Sequence, residues 1–413
     1  MKKFINGKIS RLKTMTDRLY DKKRVLALYD QSYDIFAGKV LALYVTLNLL
    51  SISIRLMLPS TSNILTMACG MIIWAVILLH PSNCRKLIYS WLSLSLLCLL
   101  IFGIGWFVGN PPYEDYFGRA FWFFIFGIPL YCVSSKISDT DVIVSLLSRT
   151  IPISVICIII IVFLLNSNRV DGFDYSMSLG YALLIPLFCA IVHVVEKKSL
   201  LSLLALFLQS FVIVVYGSRG QILSIALFIF SYLCVTAKIS TKKKTIAFTL
   251  LIMASFVMIV GFKTIISSII TLFDSLGLHS RTLGYLLERT TYTGREFVWE
   301  AAVKRIMERP LLGWTLGVDT SVAGFYPHQI YLEFILHFGI PLGLMLSIII
   351  TVVSLYNVGF SKLEDSLLLM FFCYGFIPLL LSSEYLVWPS FWIFMGLCFH
   401  LKHNLKRKAT VEA

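Results

Sequence analysis

From about position 40 to position 401, apolar residues come in long unbroken runs separated by short polar stretches. Runs of about 20 residues, wound as α-helix, match the thickness of a bilayer's hydrocarbon core. Thirteen such segments are visible. The run 329–338 is only about half that length, and joins 340–356 as one long helix bent at Gly339 and Pro341, which leaves twelve crossings. The run 120–133 is also short, and gains length by extending back to the aromatic pair Tyr116-Phe117. The pattern breaks most over Thr293 to Leu342, the most polar ordered-looking segment of an otherwise apolar chain.

Helix signals crowd that stretch. Thr293 and Glu296 have the spacing of a capping box, so a helix begins there and Arg295 falls in its first turn. Arg295, Trp299, Ala302 and Ile306 follow the spacing of one helical face, and Pro310 stops the helix near Arg309. Pro327 suits the first turn of a second helix, with His328 and Gln329 directly after it. A histidine at a positive helix end is favoured in its neutral, proton-accepting form. Ile266, Ile269, Ile270, Phe273, Leu276 and Leu278 predict an interfacial helix within 263–292.

Composition agrees with the pattern: 58% of residues are hydrophobic and 14% charged, which a soluble core cannot absorb. The net charge of +14 is explained by its placement and does not require a nucleic acid partner. With the N-terminus inside, the inner segments hold 24 of the 36 Lys and Arg, whereas the short outer loops hold only Arg119, Arg169 and Arg219. Both termini are therefore expected in the cytoplasm, and the Gly217-Ser218-Arg219-Gly220 turn emerges on the same outer face as 263–328. The expected division is a basic cytoplasmic or interfacial segment 1–39, a membrane domain 40–262 of about nine spans, a large periplasmic loop 263–328, C-terminal spans 329–401 and a tail 402–413. Segment 1–39 reads equally as an amphipathic helix on anionic lipid or as a basic tail. The first ~35 residues are charged and show no cleavable signal, so the first span is expected to direct insertion. The nine cysteines are too scattered for a disulfide frame or a metal site.

Several short motifs occur in a fixed order. They are the Ser218-Arg219-Gly220 turn, Gly294-Arg295-Glu296 with Trp299, Arg309-Pro310-Leu311-Leu312-Gly313-Trp314, His328-Gln329-x-Tyr331-Leu332 and Phe338-Gly339-Ile340-Pro341. In this order and on one face, they resemble the O-antigen ligase and Wzy-type polymerase superfamily across 216–355. The chain departs from the family pattern at Gln329, where asparagine is common, and keeps a side-chain amide. The resemblance implies an all-α, polytopic, GT-C-like glycosyltransferase of the bacterial inner membrane with one long periplasmic helical loop. It also implies a polyprenyl-pyrophosphate-linked glycan donor, an acceptor hydroxyl on the outer face, membrane lipids, and chain-length regulator or flippase proteins as partners.

The residues fit that chemistry. A pyrophosphate leaving group concentrates negative charge, and the planar guanidinium holds it bidentately, which points to Arg219 and Arg295. A sugar hydroxyl is a poor nucleophile until a base takes its proton, which points to His328. Neither a metal nor another cofactor is expected, because the outer segments lack paired carboxylates and Asp319 or Glu333 alone is a weak ligand set. His337, one turn beyond Glu333, reads as that carboxylate's structural partner. Arg119 and Arg169 read as headgroup anchors, Trp299 and Trp314 as packing or interfacial aromatics, and Arg55 and Arg149 as snorkelling side chains. Arg281 and Arg289 read as solvated loop charge. A Wzy-type polymerase is the first reading, and an O-antigen ligase acting on lipid A-core is the second. A secondary transporter or flippase is the third, disfavoured because Glu333 is the only acidic residue within a predicted span.

Overall fold

The computed structural model describes residues 31–399 except 57, 59–61, 110–112, 167–175, 237–239, 276–282, 285–286, 288–294, 318, 320–325 and 362–364. Among the described residues every regular element is helical. Among the described residues six helices are long and apolar enough to cross a membrane: Gln31–Leu56, Leu87–Phe107, Tyr116–Ser134, Thr140–Val162, Met177–Lys197 and Ile330–Gly359. That is half the number the apolar runs predict. Shorter apolar helices of 10–17 residues, including Leu200–Tyr216, Arg219–Val235 and Pro389–Phe399, occupy other predicted segments.

Burial separates an inner helix from outer ones. Met177–Lys197 is the most enclosed long helix, and its Phe188 stacks on Phe228 at 4.2 Å, which stacks in turn on Tyr232 at 5.5 Å. Leu87–Phe107 and Ile330–Gly359 instead expose large apolar side chains, including Leu96, Phe107, Ile348 and Val352. In water such a surface would favour association at about 25 cal/mol per Å² of apolar area; lipid tails solvate it without that cost.

Two boundaries differ from the sequence expectation. The first apolar helix reaches back past Val40 at least to Gln31, the first described residue, with Tyr33, Phe36, Ala37 and Val40 packed into the core. Asp34 lies within that helix, so Glu333 is not the only acidic residue in a span. Its carboxylate is committed to the turn before Thr140, accepting from the Ser138 N–H at 2.8 Å, the Ser138 hydroxyl at 2.7 Å and the Asp139 N–H at 3.0 Å. The second difference is that 263–275 is not a separate interfacial helix but continues one helix, Thr241–Ser275. Its Ile266 and Phe273 pack against Val215 at the end of Leu200–Tyr216. An amphipathic surface helix within the first 30 residues lies outside the described residues.

Candidate functional site

The last long helix, Ile330–Leu355, starts at Gln329, whose side chain accepts from the Leu332 N–H at 2.8 Å. An extended residue whose side-chain oxygen meets the third following N–H is an N-cap. Pro327 is thus not a first-turn residue, and His328 precedes the cap, in the left-handed region with φ +56°. The amide that departs from the family pattern has this structural task.

His328 is half-buried, its ring centroid 4.1 Å from that of Tyr326. Its Nδ1 lies 3.3 Å from the carbonyl oxygen of Ser382. A carbonyl can only accept, so Nδ1 carries the proton in this contact and the neutral ring leaves Nε2 as its proton acceptor. Burial lowers the His328 pKa below the ordinary histidine value; the Ser382 carbonyl opposes this and the Arg295 charge adds to it. Neutrality therefore comes from burial and a nearby cation, where the sequence reading assigned it to a helix dipole. Burial, Glu384 and Glu333 push the Tyr326 phenol up to about 12, with Arg295 acting in the opposite sense.

Arg295 is the first residue of the helix Arg295–Glu308. Thr293, the other half of the expected capping box, lies outside the described residues. Val298, Ala302 and Ile306 form the buried stripe, at 3.6-residue spacing. Trp299 stays partly exposed, yet donates its indole N–H to the Pro327 carbonyl at 2.8 Å. That bond ties the first turn of the Arg295 helix to the residue before His328. At the other end Pro310 follows the helix, and Arg309 stacks over Trp314 with its Cζ 4.0 Å from the ring centroid.

The Pro310–Thr315 loop packs on the bend of the helix that follows His328. Pro341 lacks an N–H, so a continuous helix would leave the His337 carbonyl without its partner. Gly339, at φ +77°, breaks the helix there, and the loop supplies what is lost. The N–H groups of Trp314 and Thr315 donate to the carbonyls of Leu336 and His337, both at 2.8 Å, and Ile340 N–H donates to the Pro310 carbonyl at 2.7 Å. Approach is close enough that a Cβ on Gly313 would strike the Gly339 nitrogen and one on Gly339 the Leu311 carbonyl. The two motifs 309–314 and 338–341 are halves of one packed joint.

Arg219 is the first residue of the helix Arg219–Ser231. Gln221, fully buried, accepts from the Ser218 N–H and donates to the Met177 carbonyl at 2.8 Å, pinning this helix start to the Met177–Lys197 helix. Beside Arg219, a Cβ on Gly220 would lie 2.6 Å from the Tyr181 hydroxyl, which is itself 2.5 Å from the Ser382 hydroxyl. Ser382 is the hub: its side chain meets the residue packed on the Arg219 turn, and its carbonyl holds His328. Arg295 lies near enough for its charge to act on His328, and the backbone of the Arg219 turn is linked to His328 through Tyr181 and Ser382.

Sequence reasoning does not find Ser382, nor the charged network beneath it. Arg119 is no headgroup anchor; it is buried, its Nε 2.5 Å from Glu384 and its Nη1 donating to the Gly317 carbonyl at 3.3 Å. His337 pairs with Asp319 instead of Glu333, and its Nδ1 is 2.8 Å from the Tyr385 hydroxyl. Glu333 accepts from the Tyr385 N–H at 3.3 Å. Burial alone would raise the Asp319 pKa, but His337, with Arg119 adding its charge, more than offsets it and holds the carboxyl below the ordinary range. A signal was available for Arg119: a charge flanked by Tyr116, Phe117, Phe121 and Trp122 sits in a run too apolar to leave it facing lipid. Tyr326, Ser382 and Glu384 border a cavity of about 380 Å³.

Comparison with known proteins adds a family. Residues 204–347 match the family described as O-antigen ligase. The matched stretch encloses Arg219, Arg295 and His328. No curated protein and no solved structure gives a match. Together with the apolar helices, the family marks the chain as an integral membrane protein.

Proposed function

Taking as premise that residues 204–347 belong to the O-antigen ligase and Wzy-type superfamily, we propose that this protein transfers a glycan from a polyprenyl-pyrophosphate carrier to an acceptor hydroxyl at the outer face of the membrane. Arg219 and Arg295 hold the pyrophosphate, whose charge grows as the glycosidic bond to it breaks. His328 takes the proton from the acceptor hydroxyl at Nε2 as that oxygen attacks the anomeric carbon. The observation that carries the reading is the orientation of His328, whose Nδ1 is committed to the Ser382 carbonyl beside a guanidinium that disfavours imidazolium. A base must be neutral and a phosphate clamp must be charged, and the two residue types divide those tasks.

The acceptor we propose first is a second lipid-linked repeat unit, which makes the protein a Wzy-type polymerase with a GT-C-like membrane architecture. Lipid A-core is the second reading, favoured by the ligase description of the matched family. The test is a transfer assay with purified protein and a polyprenyl-pyrophosphate-linked oligosaccharide, offering each acceptor in turn. Products lengthened by whole repeats support the polymerase; glycan on lipid A-core alone supports the ligase; release of neither product from a well-folded protein contradicts transfer.

A further inference from the structure

The cavity beside His328 contains a cation that the transfer reaction as described does not use. Its lining includes Tyr326 and Ser382, the residues that contact the His328 ring, and its volume of about 380 Å³ lies within the range of small-molecule sites, roughly 300–1,000 Å³. The aromatic rings of Trp122 and Trp388 border it, together with the side chain of Asn48. Flat apolar faces beside amide and hydroxyl groups suit a sugar ring, which has apolar C–H faces and a polar rim.

Charge makes the occupant more specific. Arg55 reaches the cavity from the end of the Gln31–Leu56 helix. Its Nη2 donates to the neutral Thr66 hydroxyl, and its Nε is buried without an acceptor. The cavity lining holds one carboxylate, Glu384, and that group is already ion-paired with Arg119. Among the described residues no carboxylate forms an ion pair with Arg55, so the lining carries one uncompensated positive charge. A half-buried guanidinium whose Nε–H is unused is a site for a bidentate anion. We propose that this cavity binds a sugar unit of the acceptor bearing a carboxylate or a phosphate, with Arg55 holding that anionic group. The inference rests on the transferase reading of the same site. It makes Arg55 a specificity residue that selects acidic glycans before His328 acts on the hydroxyl.

The test is calorimetric titration of the full chain in phosphatidylcholine nanodiscs with methyl glucuronide, glucose 6-phosphate and methyl glucoside. At least one of the two acidic sugars should bind saturably and about tenfold or more tighter than the neutral one, the scale of one charge-assisted contact. Whichever acidic arm binds identifies carboxylate or phosphate. Arg55→Gln should abolish the preference, and Arg55→Lys should retain part of it, with thermal melting to show that both variants fold. Equal binding of acidic and neutral sugars, no saturable binding of any, or an unchanged preference in folded Arg55→Gln overturns the proposal. So does competition by phosphatidylglycerol nanodiscs that abolishes sugar binding, which would make the occupant a lipid headgroup. Charge-selective binding without any transfer from a polyprenyl-pyrophosphate donor sinks the transferase reading and leaves the anion site. Transfer without charge-selective binding sinks the anion site alone.

Discussion

His328 owes its lowered pKa first to burial and then, among its charged neighbours, to Arg295, whose guanidinium disfavours a second positive charge beside it. A base depressed in this way is active when neutral, so turnover should be lost as pH falls through its folded pKa, below the ordinary histidine value of about 6.5. The acid limb of kcat/KM is therefore expected below that value. Arg295→Gln should move the limb upward and Arg295→Lys should leave it in place, apart from any loss of rate. An acid limb unmoved in Arg295→Gln would show that the two residues do not act together. Stability follows the same sign: the unfolded chain takes up the proton first, so this contribution is complete above the unfolded pKa and is lost as pH falls.

Gly339→Ala should destabilise the protein. The residue adopts φ +77°, which costs a side chain about 1–3 kcal/mol, and its Cβ would also strike the Leu311 carbonyl. The Pro310–Thr315 loop would then lose its seat on the kink. Thermal unfolding should show a lower midpoint than in Gly103→Ala, where a Cβ meets nothing within 4 Å. Equal midpoints would mean that the joint is not structural.

Glu384→Gln should cost more than a surface change, because it removes the carboxylate charge 2.5 Å from the buried Arg119 guanidinium. Breaking a buried pair on one side costs about 3–5 kcal/mol, whereas replacing both partners by apolar residues of similar size is often close to neutral. The double variant Arg119→Met with Glu384→Leu should accordingly recover much of the loss in denaturant unfolding. No loss in Glu384→Gln would mean that water or another residue already compensates Arg119.

Transfer by purified protein should persist in a chelator. One oxygen of each of three buried carboxylates is engaged by the protein itself, Asp319 by His337, Glu333 by the Tyr385 N–H and Glu384 by the Arg119 side chain, while Asp319 Oδ2 and Glu333 Oε1 have no partner. Activity lost in EDTA and restored by magnesium would contradict this and assign the pyrophosphate to a divalent ion.

What was legible in the sequence was local. Apolar runs marked the helices, and Pro310, Gly339 and Pro341 marked a stop and a bend, because proline and glycine act on the backbone of their own segment. The start at Pro327 was misplaced by three residues, since Gln329 can cap a helix that begins at Ile330 as well as Pro327 can begin one, and local sequence does not rank them. That the first helix already covers residues 31–39 was obscured by the charges of that stretch, Asp34 and Lys39. Arg119–Glu384 and His328–Ser382 join residues 265 and 54 positions apart, and no periodicity reports such pairings. Ser382 lies in a short Ser-Ser-Glu stretch between apolar runs and announces nothing by itself. Its importance comes from what the fold packs on either side of it.

The central claim is the division of labour between base and clamp, and the most direct measurement compares donor binding and turnover in His328→Ala, Arg219→Ala and Arg295→Ala, each purified and shown to be folded. His328→Ala should bind the polyprenyl-pyrophosphate-linked donor nearly as well as the parent while transfer falls by about 10²–10⁴-fold, the usual contribution of a general base. Each arginine variant should lose donor affinity and transfer together, since a guanidinium that clamps the pyrophosphate acts on it in the bound state as well as in the transition state. If His328→Ala loses donor binding as severely as the arginine variants, His328 is a phosphate ligand or a structural post, and the general-base assignment is wrong.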